Sequence, residues 1–168
     1  DDLFEFYAGS VPRVLLNGAF VALPYGTDSI VLDGHGGSDI LRFHDSGGDD
    51  TFEGRPDYSR FFSSSYGLLA LGMSRVEAVA AIGIDRAQLF DSTGDDRLDG
   101  RPDSATLSGV GFSLSASGFD TVRATASTGF DTTALSDTIG DDTLTARPRD
   151  TQWTTAGFSL TATAFDRV

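Results

Sequence analysis

Carboxylates dominate the chemistry available to this chain. Of its 25 acidic residues, 22 are Asp and only Glu5, Glu53 and Glu77 are Glu, against twelve Arg and no Lys. The Asp residues recur in register. Asp39, Asp85 and Asp131 form one column, and Asp45, Asp91 and Asp137 a second. The pairs Asp49/Asp50, Asp95/Asp96 and Asp141/Asp142 form a third, and in each column successive members lie 46 residues apart. If such a column stacks at the roughly 4.8 Å spacing of neighbouring strands, like charges repel by roughly 0.9 kcal/mol per pair in water and by more at lower dielectric. Calcium is one remedy, because it takes roughly six to eight oxygens from carboxylates and carbonyls. Turn chemistry is the other, each Asp accepting hydrogen bonds from the amides of its own turn. The residues leave both open, and all the Asp residues just named are candidate metal ligands.

Other reactive groups are sparse. A second column, Arg55, Arg101 and Arg147, sits in Arg-Pro pairs. It suits an acidic sugar or a neighbouring subunit's carboxylates, since Arg matches carboxylates in bidentate geometry. Pairing with the Asp residues of its own coil is the simpler expectation. His35 and His44 are the only histidines and neither recurs. Neither stands in a nucleophile motif, and no cluster breaks the repeat as an active site would. The expectation is therefore a protein that is not an enzyme. With no Cys, disulfides, thiol chemistry and Cys-type zinc sites are excluded.

The elements that must position these groups follow from the same repeat. Asp45-Ser-Gly-Gly-Asp-Asp50 returns as Asp91-Ser-Thr-Gly-Asp-Asp96 and Asp137-Thr-Ile-Gly-Asp-Asp142. Bulky columns accompany it: Phe20, Tyr66, Phe112 and Phe158, and Leu15, Phe61, Leu107 and Trp153. Both read as core. The 168 residues divide into units of about 1–48, 49–94, 95–140 and a partial 141–168, one repetitive domain in which the first unit needs a two-residue insertion near Tyr7–Ser10. Within each unit Gly-x-Asp turns come every 11 residues, as at Gly118-Phe-Asp120, Gly129-Phe-Asp131 and Gly140-Asp-Asp142. Between turns the alternation has period two, the mark of half-buried strands. From Gly140 to Ala164 the step is 24, so half of each unit makes a longer excursion through Arg-Pro. The fold expected is all-β: a parallel β-solenoid with two coils of roughly 22–24 residues per 46-residue repeat. The small residues Ala78, Ala80, Ala124 and Ala126 would then face a narrow core. A β-propeller of four-stranded units is the alternative, but under four blades cannot easily close a ring.

The consensus FDxVxAxAxxGxDxAxLxDSxGDDxLxGRPDxAxL resembles the tandem repeats of very large secreted or surface proteins of aquatic bacteria, calcium-binding, adhesin-like β-solenoids. The match is clearest over Gly94–Thr138. Gly36-Gly-Ser-Asp-Ile-Leu41 and Gly47-Gly-Asp-Asp-Thr-Phe52 are similar to the repeats-in-toxin calcium turn, without its nine-residue spacing or third Gly. The resemblance implies an extracellular or cell-surface setting and a segment of something longer.

Charge narrows the partners. A formal net charge of -13 repels nucleic-acid phosphates and anionic lipid. No apolar run approaches the roughly 20 residues of a membrane-spanning helix, and the opening Asp1-Asp2 reads as a mature or excised piece. The leading expectation is a structural protein that assembles with itself, head to tail, into a fibre, sheath or surface layer. A calcium-stiffened adhesin or stalk segment is the alternative. A surface polysaccharide is a further candidate partner, and a polysaccharide-active β-helix enzyme the least favoured reading.

Overall fold

The computed structural model describes residues 1–137 and 139–167. These residues form eighteen strands and no helix. The first unit holds β1 (Leu3–Tyr7), β2 (Arg13–Leu16), β3 (Ala19–Val21), β4 (Ser29–Asp33) and β5 (Ile40–His44). The second holds β6 (Thr51–Gly54), β7 (Tyr58–Phe62), β8 (Gly67–Leu71), β9 (Arg75–Val79) and β10 (Arg86–Phe90). The third repeats the order with β11 (Arg97–Arg101), β12 (Ser104–Gly109), β13 (Phe112–Ser117), β14 (Thr121–Thr125) and β15 (Thr132–Leu135). The fourth has β16 (Thr143–Ala146), β17 (Asp150–Thr155) and β18 (Phe158–Thr163).

Two nine-stranded sheets result, with the orders β15-β11-β12-β13-β9-β5-β1-β2-β3 and β16-β17-β18-β14-β10-β6-β7-β8-β4. The architecture is a β-solenoid, and the two continuous sheets leave no place for propeller blades. Each unit contributes a three-stranded antiparallel meander, such as β6-β7-β8, and the first three units add two single strands that pair in parallel. Arg86 of β10 lies opposite Thr51 of β6 on one side and Thr121 of β14 on the other. The meander is the longer excursion through Arg-Pro, folded within one sheet.

That meander changes the coil length. Parallel neighbours are separated by 35 residues at Asp50 and Asp85, or by 38 where Arg75 faces Ser113. The expected coils of 22–24 residues do not occur, because the meander places two extra strands between a strand and its next parallel neighbour. A second consequence concerns the columns. The chain changes sheet three times per unit, an odd number, so a residue and its counterpart 46 positions later lie on opposite sheets. Counterparts therefore do not stack on one another. The ladders run at the 35-residue offset instead.

The core lies between the sheets, and period-two alternation supplies it. The burial of β9 and β13 alternates strictly, with a large and a small residue inward on each: Val76 and Ala78, Leu114 and Ala116. Ala80, Ala124 and Ala126 are buried too, as expected. Where the sheets are wider apart, rings fill the space: Phe43 stacks on Phe61 at 3.9 Å and Phe61 on Phe52 at 4.5 Å. Gly54 and Gly100 face inward where no side chain fits. A Cβ on Gly100 would lie 2.6 Å from Leu160 Cδ2 and 2.7 Å from Leu135 Cδ2.

The bulky columns hold except at one end. Tyr66, Phe112, Phe158, Phe61, Leu107 and Trp153 are buried. Phe20 is 64% exposed and Leu15 only half-buried, against expectation. Leu15 pairs with Glu5, whereas Val14 pairs with the inward Phe6. A one-residue slip in a strand moves a side chain to the other face, and the insertion in the first unit produces that slip.

Candidate functional site

The corners of the coil, where the chain passes from one sheet to the other, carry the Asp residues. In parallel pairing the amide that opens each strand must find an acceptor on the next coil, or stay orphaned at a cost of roughly 1–3 kcal/mol. Asp side chains supply that acceptor. The amide of Asp50 donates to Asp85 Oδ1 at 2.8 Å, and that of Asp85 to Asp120 Oδ2 at 2.7 Å. On the opposite sheet the amide of Asp96 donates to Asp131 Oδ1, and that of Asp131 to Asp166 Oδ2. Asp2 and Asp39 make the same contact at 2.6 Å. These bonds run between coils and not from the amides of the Asp's own turn as expected; own-turn amides reach only Asp50 and Asp96 of these carboxylates, from Ser46 and Ser92.

A second tier of Asp serves the loop amides. Asp45 Oδ2 accepts from Ala81 and Asp49 Oδ1 from Ile84, each at or below 2.9 Å. Asp91 and Asp95 repeat this with Ser127 and Phe130. The carboxylates of Asp49 and Asp95 stand exposed on the surface, and Asp141 is exposed as well.

Two corners gather three carboxylates each: Asp45, Asp50 and Asp85 in one, Asp91, Asp96 and Asp131 in the other. One oxygen from each member lies within 4.8 Å of the others, a donor set that could hold a metal ion. Two members come from the ends of a single turn and the third from the turn one coil further on. Asp50, Asp85, Asp96 and Asp131 are buried, and Asp45 and Asp91 half-buried. Burial pushes the Asp45 carboxyl up to about 6, and the charges of Asp85 and Asp50 act in the same direction. Burial, followed by neighbouring carboxylates, also raises Asp85, Asp91 and Asp131. The corners are therefore places where negative charge is costly.

The other expected ligands are distributed differently. Asp137 and Asp142 share a hydrogen bond that raises the Asp142 carboxyl, and no third carboxylate joins them among the described residues. Asp39 is fully buried beside Asp2, with the terminal amino group 3.9 Å from its Oδ1. Two members of the Arg column pair outside the Asp ladders. Arg55 bonds Glu53 at 2.7 Å and covers the Phe90 ring at 3.8 Å, while Arg147 bonds Asp150. His35 bonds Asp33, and His44, next to Asp45, stacks on Tyr7; neither joins a carboxylate cluster among the described residues.

Three kinds of residue in the corners escaped the sequence reading. Ser46 and Ser92 each donate an amide and a hydroxyl to Asp50 and Asp96 Oδ2. Asp120 and Asp166 end the ladders. Tyr66 donates its hydroxyl to Asp50 Oδ1 at 2.8 Å. The legible signal for Tyr66 was its being the only phenol in a column of Phe. Comparison with protein-family models, curated proteins and solved structures returns no match for the chain.

Proposed function

We propose that this protein is a structural element, a β-solenoid that stacks end to end into an extracellular fibre, sheath or surface layer. The observation that carries the reading is the pair of continuous sheets, whose outer strands β3, β4, β15 and β16 leave edges for further pairing. Strand β4 pairs only with β8, whereas its counterparts β9 and β14 each have a second parallel neighbour, β5 and β10. The neighbour β4 lacks is thus of the β15 type. Strand β15 pairs with β11 and makes one further bridge, Thr132 to Arg167. That bridge falls where its counterparts β5 and β10 pair with β9 and β14, so Arg167 begins the strand of β4 type beside it. Edges of this kind can pair with a further copy of the repeat, and head-to-tail contacts of that sort are heterologous and give open filaments. The flanking edges are apolar. Leu144 on β16 is 57% exposed while its counterparts Phe52 and Leu98 are fully buried, and Phe20 and Val21 are exposed on β3. Unpaired apolar edges of this kind template further strands.

Light scattering and electron microscopy of the purified chain across a concentration series test this. Filaments are expected, and Leu144→Lys with Phe20→Lys should suppress them. A monomer at high concentration under every ionic condition overturns the reading.

A second reading is favoured by the two buried carboxylate corners: calcium bound there stiffens the coil, as in a stalk or adhesin segment. It predicts that millimolar calcium raises Tm relative to chelator by mass action, whether or not filaments form.

A further inference from the structure

The two corners share their carboxylates and supporting serines and differ in neighbouring residues: Ser63, Tyr66 and Ala81 stand where the second corner has Gly109, Phe112 and Ser127. Asp45, Asp50 and Asp85 stand 46 residues before Asp91, Asp96 and Asp131, and the serines that support them, Ser46 and Ser92, keep the same spacing. The residue over the middle carboxylate differs: Tyr66 in the first corner, Phe112 in the second. Both rings are buried.

That single oxygen decides how the middle carboxylate is satisfied. Asp50 carries donors on both oxygens, Ser46 on Oδ2 and the Tyr66 hydroxyl on Oδ1. Asp96 keeps only the serine, and its Oδ1 is buried with no donor. In the same corner Asp131 Oδ2 is also buried with no donor. The two residues are 3% and 1% exposed. The backbone makes room for this arrangement. Gly109 lies against Asp96 Oδ1, where any Cβ would collide with it, whereas its counterpart in the first corner is Ser63. Buried carboxylate oxygens without donors are rare because nothing offsets their desolvation. A cation offsets it directly, and carboxylate oxygens are the donors that calcium prefers.

We propose that the corner of Asp91, Asp96 and Asp131 binds a hard divalent cation of the calcium class, and that Tyr66 closes the matching corner of Asp45, Asp50 and Asp85 to it. The phenol holds the lone pair a cation would need and donates a hydrogen bond that offsets the burial of that oxygen. The inference rests on the calcium reading given above and sharpens it to one site.

Isothermal titration of calcium into the chain, kept below any concentration at which it assembles, tests the assignment. One calcium per chain is expected for the wild type. Tyr66→Phe should open the second corner and raise the count to two. Phe112→Tyr should weaken the single site at least tenfold, and Asp131→Asn should abolish it while Asp85→Asn leaves it intact. Far-UV circular dichroism checks that each variant is folded, and the Asn variants stand in if Phe112→Tyr is not. Two equal sites in the wild type, unmoved by either ring exchange, overturn the inference and leave the calcium reading standing. Loss of the site in Asp85→Asn rather than Asp131→Asn overturns it too. No calcium bound by any of the proteins overturns both.

Discussion

Asp131 offers the sharpest separation of the two roles a corner carboxylate plays. Its Oδ1 accepts the amide of Asp96 across coils, and its charge adds to a cluster of three within 4.8 Å. Asp131→Asn keeps a carbonyl-type acceptor and removes the charge. Asp131→Ala removes both. At an effective dielectric near 20, two charges at that separation repel by about 3 kcal/mol, and by about 1 kcal/mol in water. Losing the acceptor leaves a buried amide orphaned, which costs about 1–3 kcal/mol. In chelator at pH 7 the Asn variant should therefore exceed the wild type by about 1–3 kcal/mol. The Ala variant should fall below the Asn variant by a similar amount. For a chain of this length each kcal/mol moves Tm by about 2–4 °C, so differential scanning calorimetry resolves the order. An Asn variant less stable than the wild type in chelator would show that the corner carries no net repulsion. Asn and Ala variants of equal stability would show that the inter-coil bond contributes nothing.

Three further outcomes follow from the same geometry. Gly100→Ala should cost about 1–3 kcal/mol by overpacking, because the added carbon meets Leu160 and Leu135. Gly47→Ala, with nothing within 4 Å, should stay within about 0.5 kcal/mol, and equal effects in thermal unfolding would refute the crowding argument. With Asp45 raised from 3.8 to about 6, the folded state holds a proton that the unfolded state has released. That contribution is complete below about pH 4 and disappears as pH rises through about 6, so Tm in chelator should fall across this window. Asp85, Asp91 and Asp131 are shifted in the same direction, and a Tm that climbs from pH 4 to 6.5 would contradict the sign. Arg42→Ala, which breaks a half-exposed pair with Glu77 at 2.9 Å, should change stability by less than about 1 kcal/mol in urea unfolding. A larger loss would mean that the outer face contributes more than solvent screening allows.

Much of this molecule was legible because a repeat constrains each position several times over. Alternation in Val122–Ala126 and Phe112–Ala116 states which side chains face inward, and the Gly-x-Asp turns state where the chain bends. Those are local properties, fixed by side-chain periodicity and turn conformation, and the structure keeps them. The candidate corners were legible as columns too, since a buried carboxylate needs partners wherever the chain places it. Stacking was not legible. A period of 46 names equivalent residues, but only the number of sheet changes per unit decides whether equivalents meet. That number is three, which sends Asp85 to the sheet opposite Asp39 and Asp131 and brings it against Asp50 and Asp120 instead. Likewise Leu15 and Phe20 belong to apolar columns in sequence, yet the slip in β2 and the open edge at β3 turn them outward. The difference between the corners needed both levels. The sequence states that Tyr66 stands where Phe112 recurs, while only the tertiary packing places the phenol's oxygen on a buried carboxylate and leaves Oδ1 of the matching Asp96 without a donor.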